Sequence, residues 1–371
     1  MNRIPDYENP EYLDKQIITY LGNKRTLLRF IEEGVEIVKK KVCRKKLDIF
    51  DIFSGSGIVS RFFKKHANRL IANDLEKYSE VINRCYLTNF SQFNKNLFME
   101  IYNSIIFRLE NKSLKKGIIA ELYAPKDDSI IMPGERVFYT KRNALYLDTA
   151  RQLIDEVPDE YKNFLLAPLL SEASIHTNTS GVFKGFYKDS KTGLGKFGGD
   201  KSNALTRILS DIHIPFPVFS NFECDVEIYR NDSNEIIKHI NDIDLAYIDP
   251  PYNQHPYGSN YFMLNLLVDY LNPQKISNVS GIPVDWNRSS YNKSRAAITV
   301  FKDLLENIKA KYLLISFNSE GFIPMEKMIK LLRSIGKVEI LEKQYNTFRG
   351  SRNLRNRKIH VKEYLYLVDK K

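Results

Sequence analysis

The chain has 371 residues, of which 43% are hydrophobic, so it is long enough for two domains or for one large domain with an insertion. The sequence contains no apolar run near the roughly 20 residues that a membrane-spanning helix needs, and its polar, acidic beginning lacks the apolar core of a secretory signal. These features exclude an integral membrane protein, and we expect a cytoplasmic protein with no membrane partner.

Charge and cysteine content narrow the class of partner. The 56 lysines and arginines against 45 acidic residues give a net charge of +11, which favours a polyanionic partner because phosphate neutralisation releases counterions. Charge alone is weak support, since many basic proteins bind no nucleic acid.

Cys43, Cys85 and Cys224 form no Cys-x-x-Cys pair and have no histidine at ligand spacing, so we expect free thiols and no metal site.

Residues 46–90 predict the first unit of a parallel sheet. An apolar strand at 47–53 ends in a Ser/Gly turn and a helix, and a second strand at 69–72 leads into another helix. Strand, helix and strand at this spacing form a βαβ unit, which is typical of parallel sheets. A further helix precedes the unit at about 24–41, where apolar residues recur at helical spacing.

Residues 92–220 have a different texture. Segments with helical periodicity lie at 96–110, 143–157 and 160–176. The stretch 177–203 is rich in glycine, lysine and aromatic residues, which is typical of a loop. We interpret 92–220 as an inserted, mainly helical module between two parts of one α/β domain, residues 1–91 and 221–371.

The α/β pattern resumes after this module. The sequence predicts further strands at 223–229, 245–248 and 311–317, and helices at 233–239, 261–271, 294–309 and 325–335. Two β-rich runs at the end, 338–344 and 360–368, have no helix between them, so we expect them to pair as antiparallel strands. The predicted fold class is α/β, a mostly parallel sheet with an antiparallel last strand and an inserted, mainly helical domain.

A glycine-rich turn, DIFSGSG at 51–57, connects the first strand to its helix. Such a turn lets the backbone approach a ligand at the carboxyl edge of the sheet. Asp74 ends the next strand, at about the usual spacing after Gly55 for the acidic side chain that takes the ribose hydroxyls of an adenosine-containing cofactor. Ser60 replaces the third glycine of the dinucleotide fingerprint. The alternative is a glycine turn that only fits a tight strand-to-helix corner.

The apolar strand that ends at Ile248 runs directly into Asp249-Pro250-Pro251-Tyr252. Proline has no N–H for a sheet ladder, so the two prolines end the strand and hold an extended loop at the carboxyl edge. Asp249 and the Pro250 carbonyl then offer two acceptors beside the Tyr252 ring, which fits the amino group and the face of a nucleobase. Acceptors on both N–H bonds favour the more nucleophilic form of the amine. The alternative is an ordinary loop, because Asp and Pro are turn formers.

These motifs resemble those of a known family. The Asp-Pro-Pro-Tyr loop resembles the catalytic motif of amino-methyltransferases that use S-adenosylmethionine, and DIFSGSG resembles their cofactor loop. TYLGNKRTLL, at 19–28, is similar to an N-terminal segment of the Dam-type DNA adenine methyltransferases, and the motif order is the same in that family. The resemblance implies a Rossmann-like methyltransferase sheet with a target-recognition insert. It also implies a site-specific enzyme that moves a methyl group from S-adenosylmethionine to the 6-amino group of an adenine flipped out of duplex DNA.

The resemblance also assigns site residues. The catalytic residues are Asp249, Pro250, Pro251 and Tyr252. The cofactor-binding residues are Tyr20, Lys24, Asp51, Phe53, Ser54, Gly55, Gly57, Asp74, Asp232 and Asp249. In this assignment Tyr20 and Lys24 enclose the methionine part of the cofactor, with Lys24 near its carboxylate, and Asp74 holds the ribose. The alternatives are a core aromatic for Tyr20, a solvated lysine for Lys24, and a helix N-cap for Asp232.

Basic and aromatic residues interleave in two segments, 181–196 and 348–360. Lysine and arginine on loops suit phosphate contacts, with base contacts open to the same side chains. The alternative is a solvated basic loop. The predicted DNA-binding residues are Lys184, Lys188, Arg349, Arg352, Arg355 and Arg357.

Other functions remain open at this point. Within the same chemistry, the target is alternatively the 4-amino group of cytosine or an adenine in RNA; Asp249 and the motif order favour DNA adenine. A nicotinamide-dinucleotide oxidoreductase leaves the Asp-Pro-Pro-Tyr loop unexplained, and a non-catalytic DNA-binding relative should have lost a motif. We expect a monomer in solution that acts on double-stranded DNA, either beside a cognate restriction endonuclease or as an orphan methylase.

Overall fold

A computed structural model describes residues 7–251, 254–318, 321–346 and 360–370. These residues contain a seven-stranded sheet, with the strand order β3-β2-β1-β4-β5-β7-β6. In chain order the strands are β1 (Leu47–Asp51), β2 (Ala67–Asp74), β3 (Asp225–Arg230), β4 (Ile243–Ile248), β5 (Ala310–Asn318), β6 (Gly336–Asn346) and β7 (His360–Lys370). Strand β7 pairs antiparallel with β5 and β6, and the other pairs are parallel. The predicted fold class is confirmed.

The α-helices of the described residues lie before, between and after these strands. In chain order they are α1 (Pro10–Asp14), α2 (Leu28–Val42), α3 (Ile58–Phe63), α4 (Lys77–Tyr86), α5 (Lys95–Asn111), α6 (Ile118–Leu122), α7 (Lys141–Asp155), α8 (Asp159–Ile175), α9 (Leu205–Leu209), α10 (Ser233–Ile236), α11 (Tyr257–Asn260), α12 (Phe262–Asp269), α13 (Ser294–Asn307) and α14 (Met325–Ile335). Within the described part of the chain, no helix is both long enough and apolar enough to span a membrane.

The element boundaries differ from the predicted ones in two places near the site. The helix predicted from residue 24 begins at Leu28, because Arg25–Leu27 form a 3-10 turn before it. The helix predicted at 261–271 is α12, which begins at Phe262; the short helix α11 precedes it, and Tyr261 between the two leaves the helical conformation with φ −122° and ψ 25°.

Apolar residues cover both faces of the sheet. All six residues of β4 are buried, which is typical of a central parallel strand covered by helices on both sides. Helices α2 and α3 pack on one face, in a cluster with Leu245 and Leu314. Helices α10, α13 and α14 pack on the other face, in a cluster with Phe50 and Ile315. The sheet is therefore a rigid platform for the loops at its edge.

The chain order of the strands places a crevice between β1 and β4. These two strands are neighbours, with Asp51 opposite Tyr247, and from them the chain proceeds outward to β2 and β3 on one side and to β5 on the other. Ligands of open α/β sheets bind at such a reversal, outside the carboxyl ends of the strands. The DIFSGSG turn follows β1 and Asp249 follows β4, so both predicted motifs flank this crevice.

Helices α5 to α8 share one hydrophobic cluster with α4 and α12, so the helical module packs continuously against the sheet domain. The buried Asp148 carboxylate accepts three backbone N–H groups at the start of α6, at 2.8 to 2.9 Å, and the Tyr270 hydroxyl at 2.7 Å. Arg151 donates to the Leu267 and Val268 carbonyls at the end of α12, at 2.8 and 3.1 Å. The limits of the module, 92 and 220, stay predictions.

Candidate active site

The crevice at the switch point is a cleft with about 990 Å³ of empty space, including its opening to solvent. Its walls are the segment before α2, the turn after β1, the ends of β2, β3 and β4, helix α11 and part of 287–292. The predicted site residues that line it are Tyr20, Lys24, Phe53, Ser54, Gly55, Asp74, Asp232, Asp249, Pro250 and Pro251. Residues from two distant motifs and the N-terminal segment therefore meet in one place.

Two predicted cofactor residues lie behind the cleft wall. Asp51 is fully buried and accepts the Ser60 hydroxyl at 2.5 Å. Burial raises the pKa of Asp51 to about 7. Gly57 begins α3 with φ +73°, and a Cβ there would lie 2.7 Å from Asn83 Oδ1. Both residues shape the turn after β1, and neither lines the cleft.

Several predicted residues lie outside the described part of the chain. They are Tyr252, Arg349, Arg352, Arg355 and Arg357. Their assignments stay predictions.

Gly55 brings the backbone close to its neighbours at the floor of the cleft. Its φ is +53°, and an added Cβ would lie 2.8 Å from the ring of Tyr20, so a side chain has no room. The Gly55 N–H donates to Asp74 Oδ2 at 2.8 Å, and the Glu76 N–H donates to Asp74 Oδ1 at 2.9 Å. Burial raises the pKa of Asp74, and these backbone hydrogen bonds oppose the shift. The Asp74 carboxylate is thus fixed at the end of β2.

Asn73, which the sequence analysis did not single out, ties three strand ends together. Its amide donates to the carbonyls of Ile52 and Asn231 at 3.1 and 3.2 Å, and its Oδ1 accepts the Asn231 N–H at 3.0 Å. The Ser54 N–H donates to the Asn73 carbonyl at 2.9 Å. The signal available in the sequence was an asparagine directly before the acidic residue at the end of an apolar strand.

Tyr20 lies in a stack of tyrosines at the rim of the cleft. Its ring centroid is 5.0 Å from that of Tyr257 and 5.0 Å from that of Tyr261, at interplanar angles of 28° and 22°. The Tyr257 hydroxyl donates to the Leu21 carbonyl at 3.0 Å, and the Leu21 N–H donates to the Tyr261 hydroxyl at 2.8 Å. The segment before α2 is therefore fastened to the helices that follow the Asp-Pro-Pro-Tyr loop. Tyr257, to which the sequence analysis assigned no role, is part of this attachment.

Lys24 is a buried ion-pair partner, not a solvated lysine. Its side chain is 3% exposed, and its Nζ lies 3.2 Å from Asp249 Oδ1 and 3.1 Å from Glu363 Oε1. Burial raises the pKa of Asp249 to about 6, the Lys24 ammonium opposes this shift and the Glu363 carboxylate adds to it. Glu363 lies on β7, far from the motifs in sequence, so no local pattern pointed to it.

Asp232 is both a helix cap and a cleft residue. Its carboxylate accepts the Asn234 N–H at 2.9 Å at the start of α10, as the alternative interpretation expected. The exposed side chain also lines the cleft opposite the DIFSGSG turn. Phe53 packs edge-on against Tyr291, with ring centroids 5.2 Å apart.

Glu76 is another buried carboxylate in the cleft wall, and the sequence analysis did not identify it. Its Oε2 accepts from the side-chain amides of Asn265 at 2.5 Å and Asn287 at 3.3 Å. Burial raises the pKa of Glu76 to about 7. These contacts link α4 to α12 and to the segment around residue 287.

The predicted basic loop is exposed and anchored beside the site. Lys184 and Lys188 are exposed, and Lys188 forms an antiparallel bridge with Gly195. The Phe183 N–H donates to the Asn260 carbonyl of α11 at 2.7 Å, and Phe183 is buried against Phe262. The loop is thus held by the helices that follow Asp249.

The cleft fits the predicted cofactor, S-adenosylmethionine. The Gly55 turn packs against Tyr20 and lines the cleft beside the fixed Asp74 carboxylate, which suits ribose hydroxyls. The buried carboxylates around Lys24 suit a ligand that carries positive charge.

Comparison with known proteins agrees with this geometry. A family described as D12 class N6 adenine-specific DNA methyltransferase matches residues 20–330. Type II methyltransferase M.NlaIII of Neisseria lactamica is 30% identical, covering 95% of this chain and 99% of the relative. Type II methyltransferase M.CviAII of Paramecium bursaria Chlorella virus 1 is 31% identical, covering 95% and 98%. The chain belongs to the D12 class of N6 adenine-specific DNA methyltransferases.

Proposed function

We propose that Asp249 is the acceptor that polarises the N6 amino group of an adenine turned out of duplex DNA into the cleft. S-adenosylmethionine, the methyl donor, supplies a methyl group that its sulfonium makes electrophilic. The proposal depends above all on the position of Asp249, which directly follows β4 at the switch point of the sheet and lines the same cleft as Gly55 and Asp74.

The electrostatics of Asp249 suit this role. The adenine amine is a poor nucleophile because its lone pair is delocalised into the ring, and a carboxylate that accepts its N–H favours the pyramidal form. The Asp249 side chain is 18% exposed, towards the cleft, while Lys24 holds its Oδ1. As the amine gains positive charge, the carboxylate stabilises it. The amine then loses one proton, and the Asp249 carboxylate is the proposed acceptor.

The two prolines hold the loop on which this geometry depends. Pro250 is buried, Pro251 is half-buried, and neither has an N–H that would draw the loop into the sheet. The Pro250 carbonyl is the proposed second acceptor for the amine, and Tyr252 is the proposed stacking partner of the flipped base. Flipping costs a few kcal/mol, which stacking and phosphate contacts offset.

The cofactor side of the cleft has its own proposed roles. Asp74 takes the ribose hydroxyls, and Gly55 allows the ligand to lie against the turn. Tyr20 and Lys24 enclose the methionine part. The support is that all four residues line one cleft and that Gly55 and Asp74 are joined by a hydrogen bond of 2.8 Å.

We further propose that the insert reads the DNA sequence and that its basic loop contacts phosphates. Lys184 and Lys188 are exposed on a loop held against α11, and the net charge of +11 favours a polyanion. The arginines at 349–357 stay predicted phosphate contacts.

The biological setting is also a proposal. Relatives of this chain are named type II methyltransferases, and another, 28% identical over 89% of this chain and 51% of the relative, is named Modification methylase LlaI of Lactococcus lactis subsp. lactis. We propose that this chain protects DNA against a cognate restriction endonuclease. Resistance of DNA from an expressing host to one type II endonuclease, among a panel tested, would support this.

Methylation-sensitive long-read sequencing tests the proposed function. A methylase-free host expressing the chain should carry N6-methyladenine at one recurring sequence, and a host expressing Asp249→Ala should carry none. Methylation of cytosine at N4, or of RNA with unmodified DNA, would refute the proposed target. Full methylation by the Asp249→Ala variant would refute the role of Asp249.

A further inference from the structure

We propose that Glu363 is a positioning residue for methyl transfer, because it shares the Lys24 ammonium with Asp249 and so keeps the Asp249 carboxylate available to the target amine. The inference rests on the proposed role of Asp249. Glu363 lies beyond residues 20–330, the range that the family matches.

The reversed direction of β7 brings Glu363 to the site. The parallel strands end at the carboxyl edge of the sheet, whereas β7 starts there, and Glu363 near its start is paired with Asn318 at the end of β5. The Glu363 side chain is fully buried, and its Oε1 accepts the Ser316 hydroxyl at 2.5 Å. The same oxygen lies 3.1 Å from Lys24 Nζ. A residue from the last strand thus reaches the ion pair behind Asp249.

The charge count of this group is unusual for a buried site. One ammonium faces two carboxylates, Asp249 and Glu363, so the group has a net charge of −1 when all three are ionised. A lone Lys24–Asp249 pair would be neutral, and the lysine would then weaken Asp249 as an acceptor. With Glu363 present, the charge of Lys24 is shared between the two carboxylates of Asp249 and Glu363. The net negative charge favours the positive charge that develops on the amine.

Burial makes this charge count matter. Lys24 is 3% exposed and Glu363 is fully buried, so water screens their interaction weakly. Glu363 Oε2 is buried and has no hydrogen-bond partner among the described residues. A buried carboxylate oxygen without a partner opposes folding, so Glu363 is a costly choice for a simple link between β7 and the segment before α2.

If Glu363 had a purely structural role, its removal would have a different effect on the pKa of Asp249. Among the described residues, the charged or titratable groups that act on Asp249 come from five elements: Lys24 before α2, Asp51 at the end of β1, Tyr247 on β4, Tyr257 on α11 and Glu363 on β7. Burial raises the pKa of both tyrosines, so they stay neutral in the working range. Removal of the Glu363 charge should therefore lower the pKa of Asp249, whereas loss of a structural link should not.

The test compares two variants. Glu363→Gln keeps the shape of the side chain and removes its charge, whereas Glu363→Asp keeps the charge but moves the carboxylate away from Lys24 by the length of one methylene group. Glu342→Gln is the matched control, because it removes an equal charge from an exposed pair with Lys362 on β6 and β7. The first readout is the carboxyl ¹³C NMR titration of Asp249 in the cofactor-free protein, assigned with Asp249→Asn. The second is the single-turnover methylation rate with S-adenosylmethionine and duplex DNA, beside the calorimetric affinity for the cofactor.

We expect the titration midpoint of Asp249 to fall by about one pH unit in Glu363→Gln, by less in Glu363→Asp, and to stay unchanged in Glu342→Gln. The single-turnover rate should fall about tenfold in the Gln variant, with cofactor affinity within about threefold of wild type. If Glu363→Gln does not fold, the titration midpoint of Asp249 must still fall in Glu363→Asp.

Two results would overturn the inference. One is an unmoved Asp249 midpoint in the folded Glu363 variants, and the other is a wild-type single-turnover rate in Glu363→Gln. Failure of the proposed function differs from both, because it would appear as normal methylation by Asp249→Ala. An inactive Asp249→Ala beside a fully active Glu363→Gln would remove only the role of Glu363.

Discussion

The two walls of the cleft are held in place by different interactions. On the side of β1 and β2, neutral backbone groups set the geometry: the Gly55 N–H donates to Asp74 and the Ser54 N–H to the Asn73 carbonyl. On the side of β4 and β7, a buried ammonium holds two carboxylates, Asp249 and Glu363. The first wall should therefore be sensitive above all to shape. The second should respond to any change of charge.

The largest expected effect comes from the acceptor on the charged wall. Asp249→Ala should lower the methyl-transfer rate about a thousandfold, because the amine loses its preorganised acceptor. The affinity for S-adenosylmethionine should change far less, since Gly55 and Asp74 are untouched. Single-turnover kinetics and calorimetry measure the two quantities separately. A rate within tenfold of wild type would contradict the proposed role.

Lys24→Met removes the ammonium group that pairs with Asp249 and Glu363 on the same wall. Two buried carboxylates would then face each other, and loss of one partner from a buried ion pair costs about 3–5 kcal/mol, measurable by urea unfolding. Because Lys24 lowers the pKa of Asp249, its loss should raise that pKa. In wild type kcat/KM should fall as pH drops below about 6, when Asp249 becomes protonated, and in Lys24→Met this fall should begin at a higher pH.

Lys238→Met is the control for this prediction. Lys238 pairs with Glu235 at the surface, with side chains 46% and 60% exposed, so its loss should change the free energy of unfolding far less than the loss of Lys24 does. Two results would contradict the proposed difference between the two walls. One is equal destabilisation by the two lysine variants, and the other is a fall of kcat/KM at low pH that begins at the same pH in Lys24→Met as in wild type.

Gly55→Ala changes the shape, and not the charge, of the wall on the side of β1 and β2. The new Cβ would lie 2.8 Å from the Tyr20 ring at a φ of +53°, so the turn must shift. We expect calorimetry to show about tenfold weaker cofactor binding, with no change in the acid limb of kcat/KM. Gly134→Ala is the matched control: its φ is +89° and no atom lies within 4 Å of its added Cβ. Equal cofactor affinity in the two variants would contradict the close approach at Gly55.

The smallest expected effect lies away from both walls, on the basic loop. Lys184→Ala combined with Lys188→Ala should reduce the slope of log affinity for duplex DNA against log salt by about 1.8, because each phosphate contact contributes about 0.9. Lys302→Ala, which removes an exposed lysine of α13, should leave the slope unchanged. If the double variant keeps the wild-type slope, the loop is merely solvated.

The sequence predicted the parts of the site that depend on local pattern. Asp249 and its prolines stand next to an apolar strand, and the Gly55 turn is contiguous, so short-range chemistry locates both. The parallel sheet, its reversed last strand and most helices also follow from periodicity. Glu363 was missed because its position depends on β7 lying between β5 and β6, which pairs residues far apart in the chain. Tyr257 was visible but ambiguous, since only the fold stacks it on Tyr20.

The attachment of the insert has a consequence for engineering. Arg151 holds the end of α12, Asp148 accepts the Tyr270 hydroxyl, and the Phe183 N–H donates to the Asn260 carbonyl of α11. The insert, which we propose reads the DNA sequence, and the helices after the Asp-Pro-Pro-Tyr loop therefore share one set of contacts. A chimaera built to acquire another enzyme's specificity must transplant α11 and α12 together with the insert, because a graft of residues 92–220 alone separates these partners.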